Sequence, residues 1–363
     1  MDKTLYILGA GFSIEAGAPS QEKLMGKIFQ IHSDTPSVFE MDAIKKFKIF
    51  LTETLNIPEA FYHNIPLEDI FTPIDRALLD NTAFRNLSII ELKEIRNIIY
   101  YLISKTLDVL LRNSEKEYID NFAKYIVEEC SVRANNKYRE YDNISILSTN
   151  WDILLDNSIK SFIESNSELK GVVDYCCYIS SYNKDDETIK PGLEILGAGG
   201  FNVKLLKLHG SLNWLQCPRC QRLYVDFHKK ISVDIHSNCR HCNKNFGHKN
   251  SHKLTSNLIM PTFLKDLSNP QYKLIWQNAG IELSEAKKIV FIGYSLPYAD
   301  FEMRQLLSRM VRDNAKIIVV DYDEKEEKSN DFKLMEMRYQ TFFGNREIEF
   351  YKCGAKKYIE NII

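Results

Sequence analysis

An α/β fold, in which a parallel sheet carries helices on both faces, is what this sequence predicts, and three observations predict it. Short apolar, often β-branched runs alternate with helical stretches over most of the chain. Several of those runs end in tight glycine-rich or polar turns, the form a strand takes where an open parallel sheet meets a ligand. Two Cys-x2-Cys pairs, Cys217/Cys220 and Cys239/Cys242, interrupt the alternation with the spacing of a metal site. The expected architecture is a Rossmann-like parallel sheet with a helical insertion and a small zinc-binding module.

The elements follow in order. Thr4–Leu8 is a short apolar run that reads as a buried strand. Gly9-Ala10-Gly11-Phe12-Ser13 makes a tight turn after it, and Ile14–Ala16 can begin a helix before Gly17 and Pro19. From about Gln21 to Asn135 no comparable strand signal occurs; helical stretches lie at Met41–Leu55, Leu67–Leu79, Ser88–Leu111 and Glu115–Ala134. The third has apolar residues at mixed three- and four-residue spacings (Ile89, Leu92, Ile95, Ile99, Leu102), which suits a helix packed on several sides. This places a helical insertion over residues 21–140. The alternation resumes with strands at Asn143–Leu147, Val172–Tyr178 and Val203–Leu208 and a helix at Asp152–Ile163.

Residues 212–254 are poor in core formers, so a bound metal would supply the organisation that burial cannot. Beyond them the pattern gives strands at Leu258–Met260, Lys288–Ile292, Ala315–Val320 and Glu347–Tyr351. Helices fall around Tyr272–Ala286, Ala299–Val311 and Ala355–Ile363. The whole of 1–363 is expected to be one catalytic domain that includes both insertions.

Bulk properties exclude several classes. A hydrophobic content of 44% supports a globular core, and a formal net charge of −2 gives no global electrostatic case for DNA, leaving only a local patch around the cysteine module. The N-terminus lacks a basic region followed by a long apolar one, and nothing offers about 20 uninterrupted apolar residues. A cytoplasmic protein without a membrane span is the expectation, and its cysteines are then better metal ligands than disulfide partners.

Each motif has a functional and an ordinary reading. Gly9-x-Gly11 fits a turn that brings backbone amides to a pyrophosphate, although Ile14 stands where a third glycine would be. Ser148-Thr149-Asn150-Trp151-Asp152 follows a strand directly; its polar residues face a ligand or cap the next helix. His209, at another strand end, suits general base work near neutral pH. Cys217, Cys220, Cys239 and Cys242 match a four-thiolate zinc site with no open position, hence a structural one. His228, His236, His241 and His248 are alternative ligands that do not share the pair symmetry. Cys130, Cys176, Cys177 and Cys353 read as core residues, and Glu324–Lys328 as a solvated face. In Gly293-Tyr294-Ser295-Leu-Pro297-Tyr-Ala-Asp300, and at Asp321 and Asp323, polar groups at strand ends bond a ribose or serve turns and caps.

Together and in this order the motifs resemble the sirtuin family. Gly9-Ala10-Gly11-Phe12-Ser13-x-x-Ala16-Gly17-x-Pro19 looks like its NAD loop. Thr149-Asn150-Trp151-Asp152 resembles its Gln-Asn-Ile-Asp, His209-Gly210 its catalytic His-Gly, and Gly293-Tyr294-Ser295 its ribose loop. The departures matter. Ser20-Gln21-Glu22 replaces the deacetylases' Asp-Phe-Arg, Thr149 replaces a glutamine, and Met260-Pro-Thr-Phe-Leu-Lys265 stands where a Phe-Gly-Glu segment would pair with an acyl-lysine peptide.

Leu-His209-Gly-Ser-Leu-Asn-Trp214 and Gly293-Tyr-Ser-Leu-Pro-x-x-Asp300 look instead like the divergent sirtuin-like proteins of prokaryotic anti-phage defence, which hydrolyse NAD+ to nicotinamide and ADP-ribose. This resemblance implies an NAD+ glycohydrolase regulated by self-association or by a partner, with a HerA-type hexameric ATPase the expected companion. Gly9 to Ser13, Ala16, Pro19, Thr149, Gly293, Tyr294, Ser295 and Asp321 would hold NAD+. Asn150 would orient water or the ribose, Asp152 the carboxamide, and His209 would act on a ribose hydroxyl or on water. The alternatives are an NAD-dependent protein deacylase and a scaffold whose nucleotide site senses without turnover.

Overall fold

The structure is a computed structural model, and it describes residues 2–34, 38–135, 142–166, 168, 170–183, 188–189, 192–227, 238–246, 252–263, 265–323 and 330–362. Eleven strands occur among these: β1 (Thr4–Leu8), β2 (Ile144–Ser148), β3 (Gly171–Asp174), β4 (Ile179–Ser181), β5 (Phe201–Lys207), β6 (Gly210–Gln216), β7 (Leu223–Val225), β8 (Thr255–Leu258), β9 (Lys288–Ile292), β10 (Lys316–Val320) and β11 (Ile348–Tyr351). The α-helices are α1 (Gly11–Ile14), α2 (Gln21–Asp34), α3 (Val38–Ile49), α4 (Leu67–Leu79), α5 (Ile89–Leu111), α6 (Glu117–Ser131), α7 (Leu154–Ser165), α8 (Gly192–Gly197), α9 (Arg240–Phe246), α10 (Pro270–Glu285), α11 (Phe301–Met310), α12 (Asn330–Phe343) and α13 (Gly354–Ile362). None of the described helices is long and apolar enough to cross a membrane.

Seven strands make the main sheet in the order β11-β10-β9-β1-β2-β5-β3, every pair parallel. The central strands are apolar without alternation, and Leu5 to Leu8 and Ile289 to Ile292 are all buried, as a parallel sheet covered on both faces requires. The two cover layers can be assigned. Tyr6 of β1 meets Phe122 of α6 edge to face at 5.2 Å. Its neighbour Ile7, paired in register with Phe291, lies on the opposite face, where Phe291 meets Tyr339 of α12 at 5.2 Å. The expected Rossmann-like parallel sheet is therefore present. From β1 the chain builds one half outward through β2 and β5, then returns to build β9, β10 and β11 on the other side. Its order reverses between β1 and β9, where open α/β sheets bind ligands at the carboxyl ends of the strands.

The helical stretch expected over 21–140 divides between two cores. Side chains of α2 to α5, from Leu24 and Phe47 to Ile99 and Leu107, form a second core of their own. In contrast, Tyr118, Phe122 and Ile126 of α6 belong to the core of the main sheet. The second core also takes in Leu212, Leu258 and Met260, with Trp151 and Ile153 packed against it. The helical insertion thus rests on the loops that follow β2 and β5. Within it, Ser88 and Glu91 form a capping box at the start of α5, satisfying two of the amides a helix start leaves unpaired.

Three local departures have identifiable causes. The strand expected over Val172–Tyr178 stops at Asp174, because the Asp174 carboxylate accepts the amide of Cys176, whose φ is +55°. The helix expected over Met41–Leu55 passes at Phe50–Thr54 into a π-helical turn, closed by the bond from Leu55 N–H to Phe50 O. The strand expected at Leu258–Met260 lies earlier, at β8, where it pairs with β6 in a second, four-stranded sheet ordered β4-β7-β6-β8. Glu324–Lys328 lie outside the described residues.

The turn after β1 and the turn after β9 are held together backbone to backbone. Gly9 N–H bonds Ile292 O and Gly11 N–H bonds Gly293 O, at 3.0 and 2.9 Å. A Cβ on Gly293, whose φ is +62°, would lie 2.2 Å from Phe12 N and 2.3 Å from Gly11 C. Gly293→Ala is therefore expected to cost about 3 kcal/mol in chemical denaturation, the upper range of single-substitution effects. Gly344→Ala, at φ +66° with nothing within 4 Å, should lose only about 1 kcal/mol. Equal losses at the two positions would show that the loop contact contributes nothing.

Candidate functional site

The sequence-predicted residues come together along the carboxyl edge of five neighbouring strands: Gly9–Ser13 after β1, Thr149–Asp152 after β2, His209 after β5, Gly293–Ser295 after β9 and Asp321 after β10. In the first turn Phe12 turns inward, buried at 2% exposure with its ring near Tyr118 and Phe122, while the Tyr118 hydroxyl donates to Phe12 O at 2.6 Å. Its side chain anchors the loop. The amides of Gly11, Phe12 and Ser13 bond Gly293 O, Gly9 O and Ala10 O. Ala10 is the turn's exposed residue. Ala16 is buried beneath the loop and Pro19 is half-buried at its far end.

The turn after β2 is fastened on both sides. Thr149 donates its amide and its hydroxyl to Leu8 O, at 3.0 and 3.2 Å. Trp151 Nε1 donates to Ile259 O at 3.1 Å. Asp152 accepts from the Ser13 hydroxyl at 2.8 Å and from Leu154 N–H at 3.1 Å, so it joins the first turn to the start of α7. Burial raises its carboxyl above the usual range despite Lys207 and that hydroxyl. Beneath the turn, Lys207 donates to Asp152 O at 2.6 Å and to Asp156 at 3.1 Å, and Tyr175 donates to Asp156 at 2.8 Å. The Lys207–Asp156 pair is enclosed, and losing either partner would leave a buried charge. Asn150, between these anchors, is 8% exposed, and its Oδ1 meets no donor among the described residues. A buried amide oxygen without a donor is a place prepared for a ligand or a water.

His209 lies in the turn between β5 and β6 with its ring near Trp276, 6.5 Å between centroids, and its backbone oxygen accepts Ile259 N–H at 3.0 Å. Its Nε2 is 3.5 Å from Asp300 Oδ1, and Lys265 Nζ is 2.9 Å from that same oxygen. The Tyr294 hydroxyl donates to Asp300 Oδ2 at 2.7 Å. Burial opposes ionisation of Asp300, but His209 and Lys265 outweigh it and hold its carboxyl well below the ordinary carboxylate range. Sequence reasoning gave Asp300 only ribose, turn or cap chemistry and gave Lys265 no role, because residues this far apart are joined only by the fold. Tyr294, expected at a ligand, is buried with its hydroxyl on Asp300, whereas Ser295 is exposed at the rim. Asp321, half-buried, caps the amide of Tyr322 at 2.8 Å, and burial raises its carboxyl.

The second sheet carries the cysteines. Cys217 and Cys220 flank the turn after β6, where Gln221 N–H donates to Cys217 O and Cys217 N–H donates to Arg222 O. Cys239 immediately precedes α9, and Cys242 lies in its first turn. Their four sulfurs all lie within 4.8 Å of one another, with Cys217–Cys242 and Cys220–Cys239 both at 3.7 Å. A zinc–sulfur distance of about 2.3 Å sets tetrahedral sulfurs ~3.8 Å apart, whereas a disulfide needs ~2.05 Å. The four cysteines are therefore positioned to bind a zinc ion, with no protein-free corner for a substrate. Of the alternative ligands, His241 lies outside this sulfur cluster, and His228, His236 and His248 lie outside the described residues. A second acidic group, Asp142, Glu282 and Glu285, is ion-paired with Lys3 and Lys204 at 2.5–3.1 Å, with Arg133 3.5 Å from Asp142, and is an ionic brace.

No protein-family model matches the chain, and no curated protein sequence matches it. Among solved structures it is similar to sirtuins. One, determined for the structural basis of sirtuin substrate affinity, is 12% identical with a TM-score of 0.41, over 99% of this chain and 93% of the other. A structure on the mechanism and regulation of Sir2 enzymes is 12% identical with a TM-score of 0.40, over 99% and 90%. A Sir2 homolog–NAD complex is 13% identical with a TM-score of 0.37, over 94% and 90%.

Elemental analysis of purified protein should find one zinc per chain. Removal by a strong chelator, or Cys242→Ser, should lower the melting temperature and release the small sheet to proteolysis. Full-length protein that contains no metal and melts unchanged with chelator would refute the zinc site.

Proposed function

We propose that this protein is an NAD+ glycohydrolase, cleaving the cofactor to nicotinamide and ADP-ribose. The observation that carries the reading is the meeting of the glycine turn, Asn150 and His209 on adjacent strand ends around the point where the strand order reverses. Their order along the chain is also that of the sirtuin motifs. The exposed Ala10 of the glycine turn faces the pyrophosphate, with Gly9, Gly11, Phe12 and Ser13 shaping it from behind. Ser295 and Asp321 stand at the ribose side, and Thr149 holds the two halves of the site in register.

In this scheme the glycosidic bond breaks through an oxocarbenium-like state, so positioning and charge stabilisation matter more than a protein nucleophile. The donor-free Oδ1 of Asn150 orients the attacking water or a ribose hydroxyl. Asp152, already holding Ser13 and α7, offers its remaining lone pairs to the nicotinamide carboxamide. His209 takes a proton from the ribose hydroxyl or from water.

The choice of water over the acyl group of an acyl-lysine as acceptor rests on the segment after β8. Ile259 is tied to His209 and Trp151, and Lys265 lies buried on Asp300, so this stretch is occupied by the protein's own contacts. Pairing with an added acyl-lysine strand would compete with them. Control by self-association and by a HerA-type ATPase, with depletion of NAD+ during phage infection, completes the proposal on the resemblance of the motifs.

Purified protein, alone and with the neighbouring gene's product, should release nicotinamide from NAD+ without any peptide. Asn150→Ala and His209→Ala should each lower that release about 10²–10⁴-fold while folding normally. Formation of O-acyl-ADP-ribose only when an acyl-lysine peptide is added would establish the deacylase instead. Tight NAD+ binding without turnover in the assembled complex would make the site a sensor.

A further inference from the structure

His209 faces a closed group of charges contributed by two segments outside its own strand. Asp300 precedes α11, Glu302 lies in that helix, and Lys265 comes from the stretch after β8. Lys265 Nζ lies 2.9 Å from Asp300 Oδ1 and 3.1 Å from Glu302 Oε2, while its backbone amide donates to Glu302 Oε1 at 3.1 Å. The side chains of Lys265 and Asp300 are only 2% and 6% exposed, that of His209 13% and that of Glu302 22%. The Tyr294 hydroxyl on Asp300 and the Trp276 ring beside His209 carry no charge, and the further cation on this side, Arg304 of α11, acts on Tyr294 while its guanidinium donates to Leu296 O at 3.2 Å.

Without His209 the group holds one cation and two anions, a net charge of −1. A neutral imidazole leaves that charge uncompensated, and an imidazolium cancels it. Partly buried as these side chains are, such an imbalance is less screened than at the open surface. Asp300 alone would favour a permanently protonated histidine. Lys265 takes up part of its charge, which lowers that preference.

We propose that Asp300 and Lys265 are a positioning pair for His209. Asp300 orients the ring and stabilises the imidazolium formed when His209 accepts a proton. Lys265 restrains that stabilisation by taking up part of the carboxylate's charge. Glu302 anchors Lys265. The low-lying carboxyl of Asp300 agrees with this arrangement, since both cationic partners favour its charged form. The relevance of the pair to turnover rests on the NAD+-cleaving reading; the charge coupling does not.

The test is a pH titration of the full-length chain labelled with 13C at histidine Cε1 and followed by NMR, the His209 signal being the one lost in His209→Gln. Lys265→Met removes a cation and should move the His209 midpoint up by about one pH unit. Asp300→Asn removes the nearer anion and should move it down by about as much. Glu302→Gln keeps the Lys265–Asp300 pair and should move it down by less. The amide spectrum of each variant reports that it is folded. With NAD+ and the activating partner, Asp300→Asn should lower kcat more than it changes KM, Asp300→Glu should recover part of the loss, and the acidic limb of kcat should follow the NMR midpoints. A midpoint unmoved by Lys265→Met and Glu302→Gln, or moved the same way by both, overturns the proposal. Opposite movements in a protein that never cleaves NAD+ would leave the charge coupling standing and remove the glycohydrolase.

Discussion

The backbone contact between the turns after β1 and β9 is the constraint on which the rest of the site depends. Gly11 N–H reaches Gly293 O at 2.9 Å, and a Cβ on either glycine would lie 2.5 Å or less from the other's backbone. Two halves of a sheet built in opposite directions meet at this point, so the turns must either part or touch. Glycine allows them to touch. That contact fixes the height of the first turn, and Ser13 then carries the alignment to Asp152, α7 and the Asn150 turn.

The two inserted regions take different parts in supporting that edge. The helical insertion packs with Trp151, Ile153, Leu212 and Leu258, close in the chain or in strand pairing to Asn150 and His209, so it supports the turns that carry them. Its apolar packing makes the positions of those loops cooperative with the insertion's own stability. The cysteine module is attached through β6, which begins one residue after His209 and ends one residue before Cys217. A metal there would hold the far end of the strand, and Tyr175 and Trp214, 5.1 Å apart, hold its middle against the main core. With all four ligand positions taken by cysteine, it would support the proposed site without entering its chemistry.

Polar groups enclosed near the strand ends divide into those already matched and those left open. Lys207, Asp156 and Tyr175 satisfy one another, and Lys3, Lys204, Asp142 and Glu282 do so at the opposite edge. Asn150 Oδ1 meets no donor among the described residues. The group around Asp300 balances only when His209 is charged. The paired groups hold loops in place.

Much of this was legible in the residues alone. The strand ends at Leu8 and Ile292, and within one residue that of β2 at Ser148, follow from apolar runs broken by glycine or polar turns, and the cysteine spacing announced a four-sulfur cluster. These are local signals, set by side-chain pattern and backbone preference within a few residues. The tertiary structure decided the rest. It assigned α6 to the sheet and α2–α5 to a separate core, since identical helical periodicity cannot say which surface a helix meets. It made β6 the spine of a second sheet, because strand pairing is a relation between distant segments. It turned Phe12 inward and brought Lys265 to Asp300 across 35 positions of sequence, where charge and burial act through space and leave no spacing to read.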